Sequence, residues 1–236
     1  MLTIAVAAIV VIGVFTQSLA GFGFALMAMP LLSPLLGLKT AAPLFALLGT
    51  LLNIVLIIRY HPSINFKVVW KLSLVACLAI PLGVYLLDGI DQDLALVLLG
   101  IIVIAYSLYA LFQFKLPALE HPAWLYVAGF TGGILGGMFN TNGPPVIIYG
   151  HCRKWSPEEF KVNLQGFFLL NNIVIIASHA WRNNYTAEVF GYFWSALPAL
   201  AVGIVAGMSM DKIITPDSFR KIVLYLLLII GIRLVI

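Results

Sequence analysis

Two polar breaks, rich in glycine and proline, interrupt long apolar stretches at matching places in the two halves of this 236-residue chain. The first runs from Thr16 through Gln17, Ser18, Leu19, Ala20, Gly21, Phe22 and Gly23 to Phe24, with Pro30 just beyond. The second runs from Thr131 to Pro145 and contains Gly132, Gly133, Gly136, Gly137, Asn140, Thr141, Asn142, Gly143 and Pro144. Thr16, Gly21 and Pro30 stand over Thr131, Gly136 and Pro145 at one constant offset. In lipid, backbone that leaves the helix must be buried in protein or line a wet cavity. Interrupted segments repeated in two halves point to a binding site where the halves meet.

Hydrophobic residues make up 62% of the chain and charged residues 9%, against roughly 25% charged in a soluble domain. The fold class is therefore an all-α integral membrane protein. The net charge of +4 is no nucleic-acid signal, because the basic residues lie between apolar stretches, where they set topology. Cys77 and Cys152 are too few for a disulfide framework, and Cys77 reads as a small hydrophobe in an apolar segment. Met1 to Ile4 carry no charged side chain, so a cleaved signal peptide is not expected.

Eight apolar stretches cover about 2–36, 40–58, 66–87, 93–114, 122–150, 158–181, 187–210 and 217–236. Ser156-Pro157-Glu158-Glu159 predicts a capped helix start, and Thr215-Pro216-Asp217 repeats the device. Stretch 2–36 is too long for one crossing of a core about 30 Å thick at about 1.5 Å per residue. It reads as a helix in and a helix back, meeting near Gly21–Phe24; 122–150 reads the same way, turning at Gly137–Gly143.

The charges test that reading. With both broken stretches as hairpins, Arg59, Lys67, Lys71, Lys115, Arg153, Lys154, Lys161, Lys212, Arg220 and Lys221 fall on one side. Only Lys39, Arg182 and Arg233 fall on the other. The positive-inside bias favours this arrangement, with the loops around His61 and Lys154 cytoplasmic and both termini outside. Each half then has a hairpin plus three spans, residues 1–115 and 122–236. The odd count makes the halves inverted repeats.

The hairpin tips carry the main functional expectation. A helix starting at a tip points free N–H groups and its positive dipole end into the protein, which suits an anion without a buried Lys or Arg. Asn142 is placed as an N-cap, with Gly143 and Pro144 opening the return helix. The plainer reading is that these glycines and prolines only allow a sharp turn. Gly129, Gly133 and Gly137 have the small-xxx-small spacing of close helix packing. Ala199, Gly203 and Gly207 form a similar stripe, a packing seam or the seam of a homodimer.

Gln165, Asn172 and His179 share one helix face. Asn163 and Asn171 sit nearby; Thr50 and Asn53 occupy the corresponding helix of the first half. Asn53 and Asn172 either bond neighbouring helices or complete a polar site at the tips. His179 is a candidate proton carrier or an interfacial histidine beside Trp181. Tyr60, Trp70, Trp124, Trp181 and Tyr185 read as interfacial anchors. No Asp or Glu lies deep in a span, and no catalytic motif, cofactor motif or metal cluster is present in the sequence. An intramembrane enzyme would need such a cluster. A non-transporting subunit would explain the small-residue stripes but not the doubled breaks.

At these residues the chain resembles the TauE/SafE family of sulfite and organosulfonate exporters. The resemblance is carried by Gln17-Ser18-Leu19-Ala20-Gly21-Phe22-Gly23-Phe24 with Pro30, by Gly132-Gly133-Ile134-Leu135-Gly136-Gly137, and by Asn142-Gly143-Pro144-Pro145. It covers essentially the whole chain. It implies a multi-pass secondary carrier of the bacterial inner membrane, exporting a small sulfur-containing anion such as sulfite or sulfoacetate by alternating access, with another small organic anion as the alternative substrate. It implies drive from an ion gradient, with protons a candidate coupling ion. The expected substrate-binding residues are Gln17, Ser18, Gly21, Gly23, Asn53, Asn140, Thr141, Asn142, Gly143 and Asn172. The expected partners are that anion and the lipid bilayer.

Overall fold

The computed structural model describes residues 1–60, 65–112, 119–210 and 216–236. Among the described residues ten helices run in order: α1 Leu2–Ala20, α2 Phe24–Leu36, α3 Leu38–Tyr60, α4 Phe66–Gly89, α5 Gln92–Phe112, α6 Ala123–Phe139, α7 Gly143–Cys152, α8 Pro157–Trp181, α9 Ala187–Met210 and α10 Pro216–Val235. Six of them, α1, α3, α4, α5, α8 and α9, are long and apolar enough to cross a membrane. Large apolar side chains such as Leu74, Leu78, Trp194, Val202, Val205 and Ile229 are exposed, as a lipid-facing surface requires. The protein is an all-helical integral membrane protein.

Both expected hairpins are present, but their breaks are shorter than the polar stretches that announce them. Thr16, Gln17 and Ser18 are helical, and only residues 21–23 leave the helix. Gly132 to Phe139 are helical as well, and only residues 140–142 leave it. Polar side chains can stay in a buried helix by bonding back to it: Thr16 Oγ1 donates to the Ile12 carbonyl at 2.8 Å. Ser156 and Glu159 form the expected capping box, with Pro157 opening α8. The loop around His61, Lys115, Lys212 and Thr215 lie outside the described residues.

The glycine stripes fix helix directions. Gly129, Gly133 and Gly137 of α6 stand in turn against Leu72 and Val75, Ala76 and Ala79, and Ile80 and Val84 of α4. The two helices therefore run parallel. Gly203 and Gly207 of α9 stand against Val11 and Val14, then Phe15 and Ser18, of α1. These two are parallel as well, so the Ala199–Gly207 stripe is a seam within the chain, not a free dimer surface. Asp88 near the end of α4 is ion-paired with Arg182 just ahead of α9, so α4 ends on the face where α9 begins. It follows that α1 and α6 start from opposite faces.

Each hairpin returns to its own face. The start of α6 and the end of α7 border one pocket together with Lys67 and Lys71 at the start of α4. Gly37, at the end of α2, faces Gln92 at the start of α5, on the face where α1 begins. α3 and α8 are the two most buried of the six long helices and pack on each other at the centre.

The helix starts follow the spacing of Asn53 and Asn172 rather than that of Gly21 and Gly136. α2 and α7 open at residues 24 and 143, α3 and α8 at 38 and 157, in both cases 119 apart. Asn53 and Asn172 share that spacing. The offset from Gly21 to Gly136 is one helical turn shorter. A slip of four residues keeps the same helix face, so glycines alone do not separate the two registers.

Candidate functional site

Gly21 ends α1 and Asn140 ends α6, both in the left-handed region, at φ 82° and 55°. Asparagine is one of the few side chains that adopt this conformation readily. Two residues on, Gly23 and Asn142 precede α2 and α7. The tips agree in the left-handed residue that ends the first helix but not in the residue before the second: Gly23 is left-handed at φ 117°, whereas Asn142 is right-handed at φ −70°. Each tip is held by the central helix of the other half. Gln165 Nε2 on α8 donates to the Gly21 carbonyl at 2.5 Å, beside Lys161. Asn140 Nδ2 donates to the Ala42 carbonyl on α3 at 2.7 Å.

Gln17 braces the first tip from within. Its Nε2 donates to Asn53 Oδ1 at 2.8 Å and to Gln165 Oε1 at 3.1 Å. Its Oε1 accepts from the Phe24 N–H at 3.3 Å, the first amide of α2. The helical ladder of α2 begins with Met27 N–H donating to the Gly23 carbonyl. The N–H groups of Ala25 and Leu26 precede that ladder.

The tips enclose a cavity of about 30 Å³. By the measure on which one water needs roughly 10–15 Å³, it holds about two. Gln17, Gly23, Asn53, Asn140, Thr141, Asn142, Gly143 and Asn172 line it. Eight of the ten expected binding residues are thus brought together. Ser18 turns away, its Cβ against Gly207 of α9. Gly21 lies beside Lys161, outside the lining.

The lining has two unequal halves. Thr141 Oγ1 and Asn142 Nδ2 are buried without a hydrogen-bond partner. Such groups are costly to leave unpaired and are normally satisfied by a bonding partner. Both are donors, and the Gly143 N–H lies beside them. The rest of the lining is largely apolar and includes Phe22, Phe24, Phe45, Ile147 and Phe168, the last two beside Gly143. Phe24 and Phe45 lie with ring centroids 4.0 Å apart. The lining holds no charged side chain; positive potential comes from the N-terminal ends of α2 and α7.

Asn142 does not act as the expected helix cap. A capping side chain accepts from the second or third helical N–H. Here those positions are Pro144 and Pro145, which have none, and no capping bond forms. Asn142 lines the cavity, and its unpaired amide nitrogen packs near Gly136 of α6. His179 is fully buried but remote from the lining; Asn184 Nδ2 donates to its Nδ1 at 3.0 Å. Trp70, Trp124 and Trp181 are exposed as expected of anchors. Tyr185 is instead half-buried between His179 and Phe190. Asn163 and Asn171 bond the Asn65 N–H and Cys77 Sγ, away from the cavity.

The aromatic half of the lining was not expected from the sequence, since Phe45 and Phe168 look like ordinary core residues. Gln165 was also missing among the expected site residues. Its place on the Asn172 face was the available signal.

The sulfite exporter TauE/SafE family matches residues 5–234. A protein of Cupriavidus necator described as "Probable sulfite/organosulfonate exporter TauE" is 25% identical over 226 residues, covering 93% of this chain and 88% of its own length. No solved structure matches. With nearly its whole length matched, the chain belongs to the sulfite exporter TauE/SafE family.

Proposed function

We propose that this chain is a secondary transporter that exports a small sulfur-containing anion, sulfite or an organosulfonate such as sulfoacetate, across a bacterial inner membrane by alternating access. The observation that carries this reading is the meeting of two hairpin tips on one uncharged cavity with unpaired donors at Thr141 and Asn142. A sulfonate or sulfite oxygen would accept from these groups and from the Gly143 N–H. The ends of α2 and α7 would offset the charge. Exporter membership of the family and the name of the Cupriavidus necator relative support the same substrate class.

The alternating-access reading rests on two inverted repeats, α1–α5 and α6–α10. Opposite starting faces for α1 and α6 support it, as do the left-handed residues that end α1 and α6 and the reciprocal packing of α1 on α9 and α6 on α4. The basic residues at the starts and ends of α4, α7 and α8 gather on one face; the positive-inside bias supports reading that face as cytoplasmic and both termini as outside. The phenylalanines of the lining favour an organosulfonate with a short carbon chain over bare sulfite.

Thermal-shift titration with sulfite, sulfoacetate, taurine, thiosulfate and sulfate, followed by counterflow in proteoliposomes, tests this function. Binding and counterflow of a sulfonate or sulfite are the expected results. Binding without counterflow would mark a non-transporting subunit, and no response to any of the five would reject the substrate class.

A further inference from the structure

A second cavity, larger than the first, lies on the basic face between the start of α4, the start of α6 and the end of α7. Its volume is about 220 Å³. Lys67, Lys71, Arg153 and His121 line it, with Glu120 as the one carboxylate among the described residues and Tyr149 at its wall. It shares no lining residue with the central cavity.

The charges here are poorly compensated from within the protein. Lys67 and Lys71 are four residues apart on one face of α4, where like charges repel. Lys67 also sits in the first turn, against the positive end of the helix dipole. Neither lysine makes an ion pair among the described residues. Among the described residues the Arg153 side chain makes one hydrogen bond, to the Leu119 carbonyl at 3.5 Å. His121 Nδ1 accepts from the Ala123 N–H, capping α6. Glu120 alone cannot balance three fixed cations.

The position of the pocket says what balances them. Trp70, Trp124 and Tyr126, on the same two helix starts, are all exposed. Exposed Trp and Tyr beside basic residues at helix ends mark the headgroup level of a bilayer. Basic pockets between membrane helices at that level suit anionic lipid headgroups. We infer that this pocket binds the phosphate of an anionic phospholipid, with Lys67, Lys71 and Arg153 as its ligating cations. The lipid would tie α4 to both ends of the second hairpin. This inference needs only the membrane placement of the chain and is independent of what the central cavity carries.

The test uses the full chain in a neutral detergent, titrated with phosphatidylglycerol, phosphatidylcholine and inorganic phosphate while melting temperature is followed. Phosphatidylglycerol should raise it saturably and phosphatidylcholine should not. Lys67→Gln, Lys71→Gln and Arg153→Gln are at exposed positions and change charge with little change in bulk. Each should weaken the phosphatidylglycerol response roughly fivefold, taking the usual contribution of a basic residue near an anionic membrane surface. Lys39→Gln, on the opposite face, should leave it unchanged. An unaltered response in the triple variant, or an equal response to phosphatidylcholine, would overturn the inference. An equal response to inorganic phosphate would overturn the lipid source and assign the pocket to a soluble phosphate.

Discussion

Gln17 Nε2 lies 2.8 Å from Asn53 Oδ1, tying the inner end of α1 to the middle of α3. The same side chain reaches Gln165 on α8 and the first amide of α2. One residue therefore connects four helices around the first tip. Gln17→Leu would leave Asn53, Gln165 and the Phe24 N–H short of a partner. Buried groups left unpaired cost about 1–3 kcal/mol each in soluble proteins, and polar pairs within membranes average nearer 0.6 kcal/mol. A total of about 2–3 kcal/mol is expected. At about 2–4 °C per kcal/mol for a chain of this size, melting should fall by roughly 4–12 °C, and anion affinity should fall with it. A melting temperature equal to that of the parent would show that this network does not hold the tip.

The α4–α6 seam predicts a contrast between glycines. A Cβ on Gly133 would lie 2.8 Å from Ala76 Cα and 2.8 Å from Ala79 Cβ. Backbone cannot yield as a flexible side chain can, so Gly133→Val should abolish monodisperse protein on size-exclusion chromatography. Gly191 has nothing within 4 Å of the same position. Gly191→Ala should be tolerated, and should gain about 0.5–1 kcal/mol from the helix preference of alanine.

Membrane topology follows from the two faces. In a background with Cys77 and Cys152 replaced by alanine, a cysteine at Glu158 should resist an impermeant thiol reagent added to intact cells. A cysteine at Glu188 should react with it. Both positions are exposed and lie at the starts of α8 and α9, on opposite faces. Labelling at Glu158 with protection at Glu188 would reverse the proposed orientation.

The pH dependence of transport should depend on the substrate. No titratable carboxylate or imidazole lines the cavity. Sulfite itself takes up a proton near neutrality, whereas a sulfonate stays ionised. Sulfite counterflow should therefore change across neutral pH while sulfoacetate counterflow stays flat. His179 is remote from the lining, and His179→Gln should leave both profiles as they are. A changed sulfoacetate profile in that variant would restore the histidine as a proton carrier.

Much of this arrangement was legible in the sequence for physical reasons. Backbone cannot leave the helix in lipid without shelter, so Gly21, Gly23 and the Asn140–Gly143 run marked the tips. Small residues at spacing four announced the seams that Gly133 and Gly207 form. What could not be read was which way a polar side chain on a buried helix turns. Ser18 and Gln17 are neighbours, yet one packs on α9 and the other faces the cavity. Only the partner helix decides that. The aromatic half was hidden because Phe45 and Phe168 look the same in a core as in a cavity wall.

Asn142 gives the sharpest separation of binding from stability. An asparagine cap normally contributes about 1 kcal/mol, but Pro144 and Pro145 leave this one nothing to cap. Its Nδ2 is buried and unpaired, so Asn142→Ala removes a group that is costly in the empty protein. The melting temperature without ligand should therefore hold or rise. Affinity should fall, because a hydrogen bond to a charged group contributes about 1.5–3 kcal/mol, which is on the order of 10- to 100-fold in dissociation constant. Gly143→Val should act by a different route. A Cβ there fits at 3.4 Å from Ile147 Cδ1 and 3.5 Å from Phe168 Cζ, but the two further methyl groups would fill a cavity of about 30 Å³. It should abolish binding while the protein stays folded. Lys39→Ala and Arg233→Ala remove exposed charges outside the lining and should keep parental affinity. Calorimetric titration of the four variants with sulfoacetate, each checked for monodispersity, decides the matter. Full affinity in both Asn142→Ala and Gly143→Val would move the anion site away from the hairpin tips.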